Sequence, residues 1–175
     1  MNLGQKAPDF KLKGTDGREH GLSDYQDKKA VIVVFSCNHC PYVKAYEGRM
    51  IEIQRDYAAR GVQLLAINSN DADGYPEDSF EEMVKRANEL GFNFPYLRDD
   101  SQGVARAYGA THTPHLFVFD KDRALAYTGK IDDNWQEPSK VKQRYLRDAL
   151  DALVLGKKPS EPETHAIGCT IKWKR

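Results

Sequence analysis

Two thiols stand three residues apart in Cys37-Asn38-His39-Cys40, followed at once by Pro41. Cysteines at this spacing can close a disulfide and open it again. The thiolate is the reactive form, and it attacks a substrate disulfide; the second thiol then resolves the mixed disulfide. Cys37 is the candidate nucleophile and Cys40 the candidate resolving thiol. His39, placed between them, is a candidate for tuning the Cys37 thiolate by its charge. Two other readings stay open. One is a metal site, in which Cys37 and Cys40 join His112 and His115 as a Cys2His2 set. The other is a pair of inert buried cysteines.

The elements around the pair must bring it to a surface. Ala30–Phe35 is a continuous apolar run rich in β-branched residues, which predicts a strand covered on both faces. Tyr42, Tyr46, Met50, Ile53 and Tyr57 recur every three or four residues and predict a helix that stops near Gly61. Val62–Asn68 reads as the next strand, so the cysteines fall at the turn of a βαβ unit, with Cys37 near the helix N-terminus. A short hairpin precedes the unit, turning at Thr15-Asp16-Gly17. Behind it, Asp78 reads as the cap of a helix through Leu90, and Val104–Tyr108 as a short helix. Leu116–Phe119 and Ala124–Gly129 form an antiparallel pair, and Val141–Leu153 a last helix. Ile167–Trp173 alternates with period two, placing Cys169 on the covered side of a terminal strand. It reads first as a structural thiol, with a third redox thiol as the alternative.

The composition narrows the classes. The chain has 175 residues, of which 26 are Lys or Arg and 26 are Asp or Glu, so no net field steers it to nucleic acid or an anionic membrane. No apolar run approaches membrane-spanning length, and no secretory signal is read at Met1–Lys6. Three cysteines are too few for a disulfide scaffold. The expected setting is the cytoplasm.

The segment Phe35–Lys44, with Gly109-Ala110-Thr111-His112-Thr113-Pro114, resembles the thioredoxin-like superfamily. The opening Gly4–Phe10, Tyr75–Phe80 and the closing Gly168–Lys174 are similar to its CxxC-bearing peroxiredoxin-like branch, the AhpC/TSA or redoxin-type proteins. That resemblance implies a three-layer α/β fold: a central mixed sheet flanked by helices, as a single domain over 1–175. An N-terminal hairpin extension (1–29) and a C-terminal tail (156–175) complete it. It implies thiol–disulfide exchange with protein or small-molecule disulfides and a thiol reductant, without a cofactor, nucleic acid or membrane partner. It also implies a cis bond before Pro114, facing the cysteines, with the Thr113 backbone pairing to the substrate chain.

Departures from the family pattern matter. Val31 stands where thioredoxin buries an acidic residue, and Ser36 where it has Trp. Some CxxC-bearing relatives carry cysteine where His112 stands, so His112 is an accessory candidate. Glu47, seven residues after Cys40 on the same helix face, is another. A peroxidase is the alternative enzyme, but its mechanism needs a Thr three residues before the reactive cysteine. Those positions hold Val34 and Cys37, and Thr113-Pro114 occupies the loop where the family's peroxide-holding Arg is expected. The loop Ser69–Gly74 fails as a calcium site because Phe80 stands where a bidentate Glu is needed.

Overall fold

The computed structural model describes residues 1–175. Strand β3 (Ala30–Ser36) is buried along its whole length. It pairs in parallel with β4 (Val62–Asn68) on one side and antiparallel with β7 (His115–Phe119) on the other. Being central, it can afford no polar face. Ile32 and Val34 point into one apolar cluster, whereas Val31, Val33 and Phe35 point into a second. The pleat thus splits one apolar run between two cores.

The first core is roofed by helices α1 (Pro41–Tyr57), α2 (Phe80–Leu90) and α4 (Tyr145–Val154). Tyr46, Met50, Ile53 and Tyr57 pack α1 down onto the sheet as expected, whereas Tyr42 is only partly buried and Val43 packs on the cysteines. A 3-10 turn follows, and Gly61 with φ 83° ends the run in the left-handed region that glycine tolerates best. The second core lies under the short α3 (Gly103–Tyr108) and the N-terminal segment. There the Tyr108 ring meets Phe10, Phe35, Phe117 and Phe119.

The hairpin β1 (Lys11–Gly14) and β2 (Glu19–Gly21) is part of the main sheet, because β1 pairs with β5 (Tyr96–Arg98). With β8 (Leu125–Gly129) at the far edge, the seven strands run β2-β1-β5-β4-β3-β7-β8. A separate two-stranded ladder joins β6 (His112–Thr113) to β9 (Cys169–Thr170). The mixed sheet between two helical layers is the expected α/β architecture.

Three boundaries differ from the sequence reading. The cap of α2 is Ser79, whose Oγ accepts from the Glu82 N–H at 3.3 Å, while Asp78 is fully buried one residue earlier. Helix α4 starts at Tyr145 instead of Val141, because before it begins the Asp133 carboxylate accepts from the Lys142 N–H and the Asp133 N–H donates to the Gln143 carbonyl. The terminal alternation yields only a two-residue strand. Ile171 is buried, but Ile167 and Trp173 are exposed.

Candidate active site

The first strand of the βαβ unit ends at Ser36, and α1 begins at Pro41, with Cys40 as its N-cap. Proline suits this first position because its N–H would have no helical partner. The helix N-terminus therefore lies at Cys40, three residues later than the sequence reading placed it. Cys37 occupies the connecting loop. Cys37 and Cys40 pack together with Val43, and both are almost wholly buried.

Thr113 faces both sulfurs. Its Oγ1 is 3.5 Å from Cys37 Sγ, and its carbonyl oxygen is 3.4 Å from Cys40 Sγ. The Thr113–Pro114 bond is cis, as the resemblance implies. The third cysteine arrives from the C-terminus. Strand β9 pairs Cys169 with Thr113 in register, and the Cys169 sulfur lies 2.7 Å from that of Cys40. All three thiols are free. Cys169 is partly exposed, so it is neither a core thiol nor remote from the pair.

The electrostatics favour Cys40 as the anion. The Cys37 thiol draws its pKa down first; the Cys169 thiol and the N–H groups of Val43 and Cys169 add to this, bringing it to about 4 against the penalty of burial. Cys37 moves up, through its bond to Cys40 and then through burial, and the Asp78 carboxylate also opposes its ionisation. Burial and the neighbouring Cys40 push Cys169 up to about 11. With the tail in place, these contacts lower the Cys40 pKa and raise that of Cys37, the reverse of the order expected from helix position alone.

Asp78 is the residue that sequence reasoning missed as part of the site. One of its oxygens accepts from the Asn38 N–H at 2.7 Å and from Asn68 Nδ2 at 3.1 Å, the other from Asn70 Nδ2 at 2.9 Å. The Tyr96 hydroxyl donates to Asn38 Oδ1 at 2.8 Å, and Arg98 holds the Asp78 carbonyl. These bonds tie the Cys37–Cys40 loop to the loop before α2. The only signal in the sequence is the polar string Asn68–Asn70 immediately after an apolar strand.

His39 Nδ1 lies 2.7 Å from Asp78 Oδ2, and its ring stacks on Tyr75. Any positive charge it presents to Cys37 is therefore matched by a carboxylate at similar range. Donor atoms of Cys37, His39 and Asp78 lie within 4.8 Å of one another and can offer sulfur, nitrogen and oxygen to a metal. This set differs from the Cys2His2 grouping considered from the sequence, which the fold does not assemble. His112 bonds Thr111 Oγ1 through Nδ1, beside the tail. His115 turns its ring onto Phe117 and accepts from the Thr111 N–H.

Glu47 is not a free surface carboxylate. It is buried and held by Arg86 of α2 through Nε at 2.8 Å and through Nη2. This ion pair joins α1 to α2 and commits both Glu47 oxygens to Arg86. Farther along α1, Arg49 binds the Asp132 carboxylate and the carbonyls of Asn134 and Trp135. That holds Trp135 against Tyr42, on the rim of the cysteine cluster.

Burial, reinforced by His112, lowers the His115 pKa to about 4. The unfolded chain protonates this imidazole near 6.5, so below that pH it binds the extra proton and the folded state does not. Stability should therefore fall as pH drops from 6.5 toward 4, by about 2–3 kcal/mol from this group. Urea titrations at pH 7 and 4.5 check it: His115→Gln should reduce the difference. An unchanged difference would remove His115 as the cause.

The model of the AhpC/TSA family matches residues 3–128, which include Cys37, Cys40, Thr113 and Pro114. The chain belongs to the AhpC/TSA family. Cys169 lies beyond the matched segment. The thiol-disulfide oxidoreductase ResA of Geobacillus thermodenitrificans is 34% identical over 69% of this chain. The match spans 64% of that relative's own length. An uncharacterized conserved protein from Geobacillus kaustophilus, of known crystal structure, is 45% identical, with a TM-score of 0.92 over 99% of this chain and 93% of its own. The thioredoxin domain of a Bacteroides vulgatus thiol-disulfide oxidoreductase superposes with a TM-score of 0.61 at 17% identity, over 71% of this chain and 86% of that domain. The fold of this AhpC/TSA member is thioredoxin-like.

Proposed function

We propose that the protein is a thiol–disulfide oxidoreductase that cycles Cys37 and Cys40 between dithiol and disulfide. The observation that carries this reading is the contact of both sulfurs with Thr113, the residue before the cis proline. The kinship with ResA supports it. Cys37 passes its proton to the Cys40 thiolate and attacks one sulfur of a protein or small-molecule disulfide, and the other sulfur leaves as a thiolate that takes that proton back from Cys40. Cys40, already ionised, then attacks Cys37 and releases the second substrate thiol. The protein is left as the Cys37–Cys40 disulfide, and a thiol reductant restores the dithiol. A thiolate at Cys40 serves the resolving step directly. No resident cofactor enters this cycle.

The cytoplasmic setting is part of the same proposal and rests on cysteine usage. No helix is long and apolar enough to cross a membrane. Nothing in the site favours the peroxidase alternative: Val34 is buried in the sheet, and Arg98 is engaged by the carbonyls of Asn70 and Asp78.

The test is a trap. Cys40→Ser protein mixed with a disulfide-linked peptide should hold one peptide on Cys37 and stop there. Cys37→Ser should lower turnover about a thousandfold, equivalent to about 4 kcal/mol of barrier. Wild-type-like turnover by Cys37→Ser, or no adduct on Cys37 in the Cys40→Ser protein, would sink the assignment.

A further inference from the structure

We propose that Cys169 is a third exchanging thiol, carried by a C-terminal strand that lies on Thr113 as a substrate chain would, so that the Cys37–Cys40 disulfide passes to Cys40–Cys169. This deepens the reading above and depends on its CxxC couple. Three observations converge on it. The first is backbone pairing: Thr113, the residue that would bind an incoming chain, is already paired with Cys169. The second is the sulfur geometry. At 2.7 Å the sulfurs of Cys40 and Cys169 are closer than an ordinary non-bonded approach, and a disulfide would require roughly 2.05 Å. The third is Gly168, where a side chain would collide with the Thr113 carbonyl, so the tail reaches this depth only with glycine there.

The tail is also anchored on both sides of Cys169. Upstream, the Thr164 N–H donates to the Thr128 carbonyl of β8, and the Thr128 N–H donates to the Pro162 carbonyl. Downstream, the Ile171 N–H donates to the Thr111 carbonyl, and Gln102 and Asn70 hold the Lys172 backbone. Ile171 is buried in the second core. This arrangement repeatedly returns one sulfur to the same place, which is what intramolecular exchange requires.

The step balances without an outside oxidant. Cys169 gives up its proton and attacks Cys40 of the Cys37–Cys40 disulfide. The Cys40–Cys169 bond forms, the Cys37–Cys40 bond breaks, and Cys37 leaves as a thiolate that takes up a proton. The number of disulfides is unchanged. What changes is accessibility: Cys37 and Cys40 are 1% and 0% exposed, whereas Cys169 is partly exposed. A reductant would meet the oxidised protein at Cys169.

Peptide mapping after oxidation decides it. Reduced protein is oxidised with one equivalent of glutathione disulfide, quenched in acid, alkylated and digested with trypsin, and the linked peptides are fragmented, because Cys37 and Cys40 share the tryptic peptide 30–44. The Cys40 and Cys169 peptides should be linked in wild type and in Cys37→Ser, with near-complete loss of Cys169 alkylation in the latter. The link should be absent in Cys40→Ser. In Gly168→Val, where the tail is displaced, the link should fall severalfold while the Cys37–Cys40 disulfide persists. Free, fully alkylated Cys169 in oxidised wild type and Cys37→Ser would overturn the proposal. A link from Cys37 in place of Cys40 would overturn it too. Disulfide turnover by wild type, measured alongside, separates the two readings: turnover with Cys169 always free leaves the CxxC function standing and removes only the relay.

Discussion

Reduced protein should carry one thiolate at neutral pH, on Cys40, and its dithiol couple should be more oxidising than thioredoxin, whose potential is about −270 mV. The reduced state is the one this site stabilises. The Cys37 thiol, the Cys169 thiol and two backbone N–H groups all favour charge on Cys40, and its pKa drops to about 4. Those contributions disappear when Cys40 enters a disulfide, so they shift the equilibrium toward the dithiol. Ultraviolet thiolate absorbance should titrate near pH 4 and vanish in Cys40→Ser. The pH dependence has a definite sign and slope. Between that pKa and the next, reduction takes up two electrons and one proton, so the potential should fall as pH rises by about 30 mV per unit. A slope of about 59 mV would mean that both sulfurs of the reduced pair are protonated, and the thiolate assignment would fail. A potential at or below that of thioredoxin would contradict the stabilisation argument. Cys169→Ala removes one donor and should lower the potential, which distinguishes the tail's contribution from that of the other donors.

The sheet and its helices were legible because their signals are local. The run Ala30–Phe35 and the α1 stripe depend on period and composition, and the fold obeys both. The cysteine pair and Thr113-Pro114 were legible because a short motif carries them. The remainder depends on contacts distant in sequence. Asp78 and Ser79 both suit a helix cap, and only the tertiary position of Asn38, 40 residues away, makes Asp78 the buried acceptor. Cys169 alternates with apolar neighbours and so resembles a core thiol; its approach to Cys40 spans 129 residues and is set by β6 pairing with β9. Glu47 could not be distinguished from a surface carboxylate without knowing that α2 brings Arg86 against it. The identity of the helix cap also altered the chemistry. With Cys40 at the cap, the Val43 N–H adds to the Cys37 and Cys169 thiols, the first of which lowers the Cys40 pKa most.

Replacing Asp78 should have two separable effects, because its carboxylate both holds the loop and opposes ionisation of Cys37. Asp78→Ala leaves the Asn38 N–H and the Asn68 and Asn70 amides without their acceptor in a buried site. At about 1–3 kcal/mol for each unsatisfied group, a stability loss of about 3 kcal/mol or more is expected. Asp78→Asn keeps the volume and one carbonyl acceptor but turns an NH2 toward a donor, so it should lose less. Both variants remove a negative charge near Cys37, and that charge is among the causes that raise the Cys37 pKa. Small-molecule alkylation of Cys37 above neutral pH should therefore be faster in Asp78→Asn than in wild type, even though the protein is less stable. Asn68→Ala supplies the control, since it loosens the same network without changing charge; it should lower stability and leave the pH profile of Cys37 alkylation in place. If Asp78→Asn and Asn68→Ala shift that profile equally, the carboxylate acts only as a structural acceptor. Slower alkylation of Cys37 in Asp78→Asn would reverse the sign of the electrostatic argument, and would show that Asp78 aids the thiolate through His39 more than it opposes it directly.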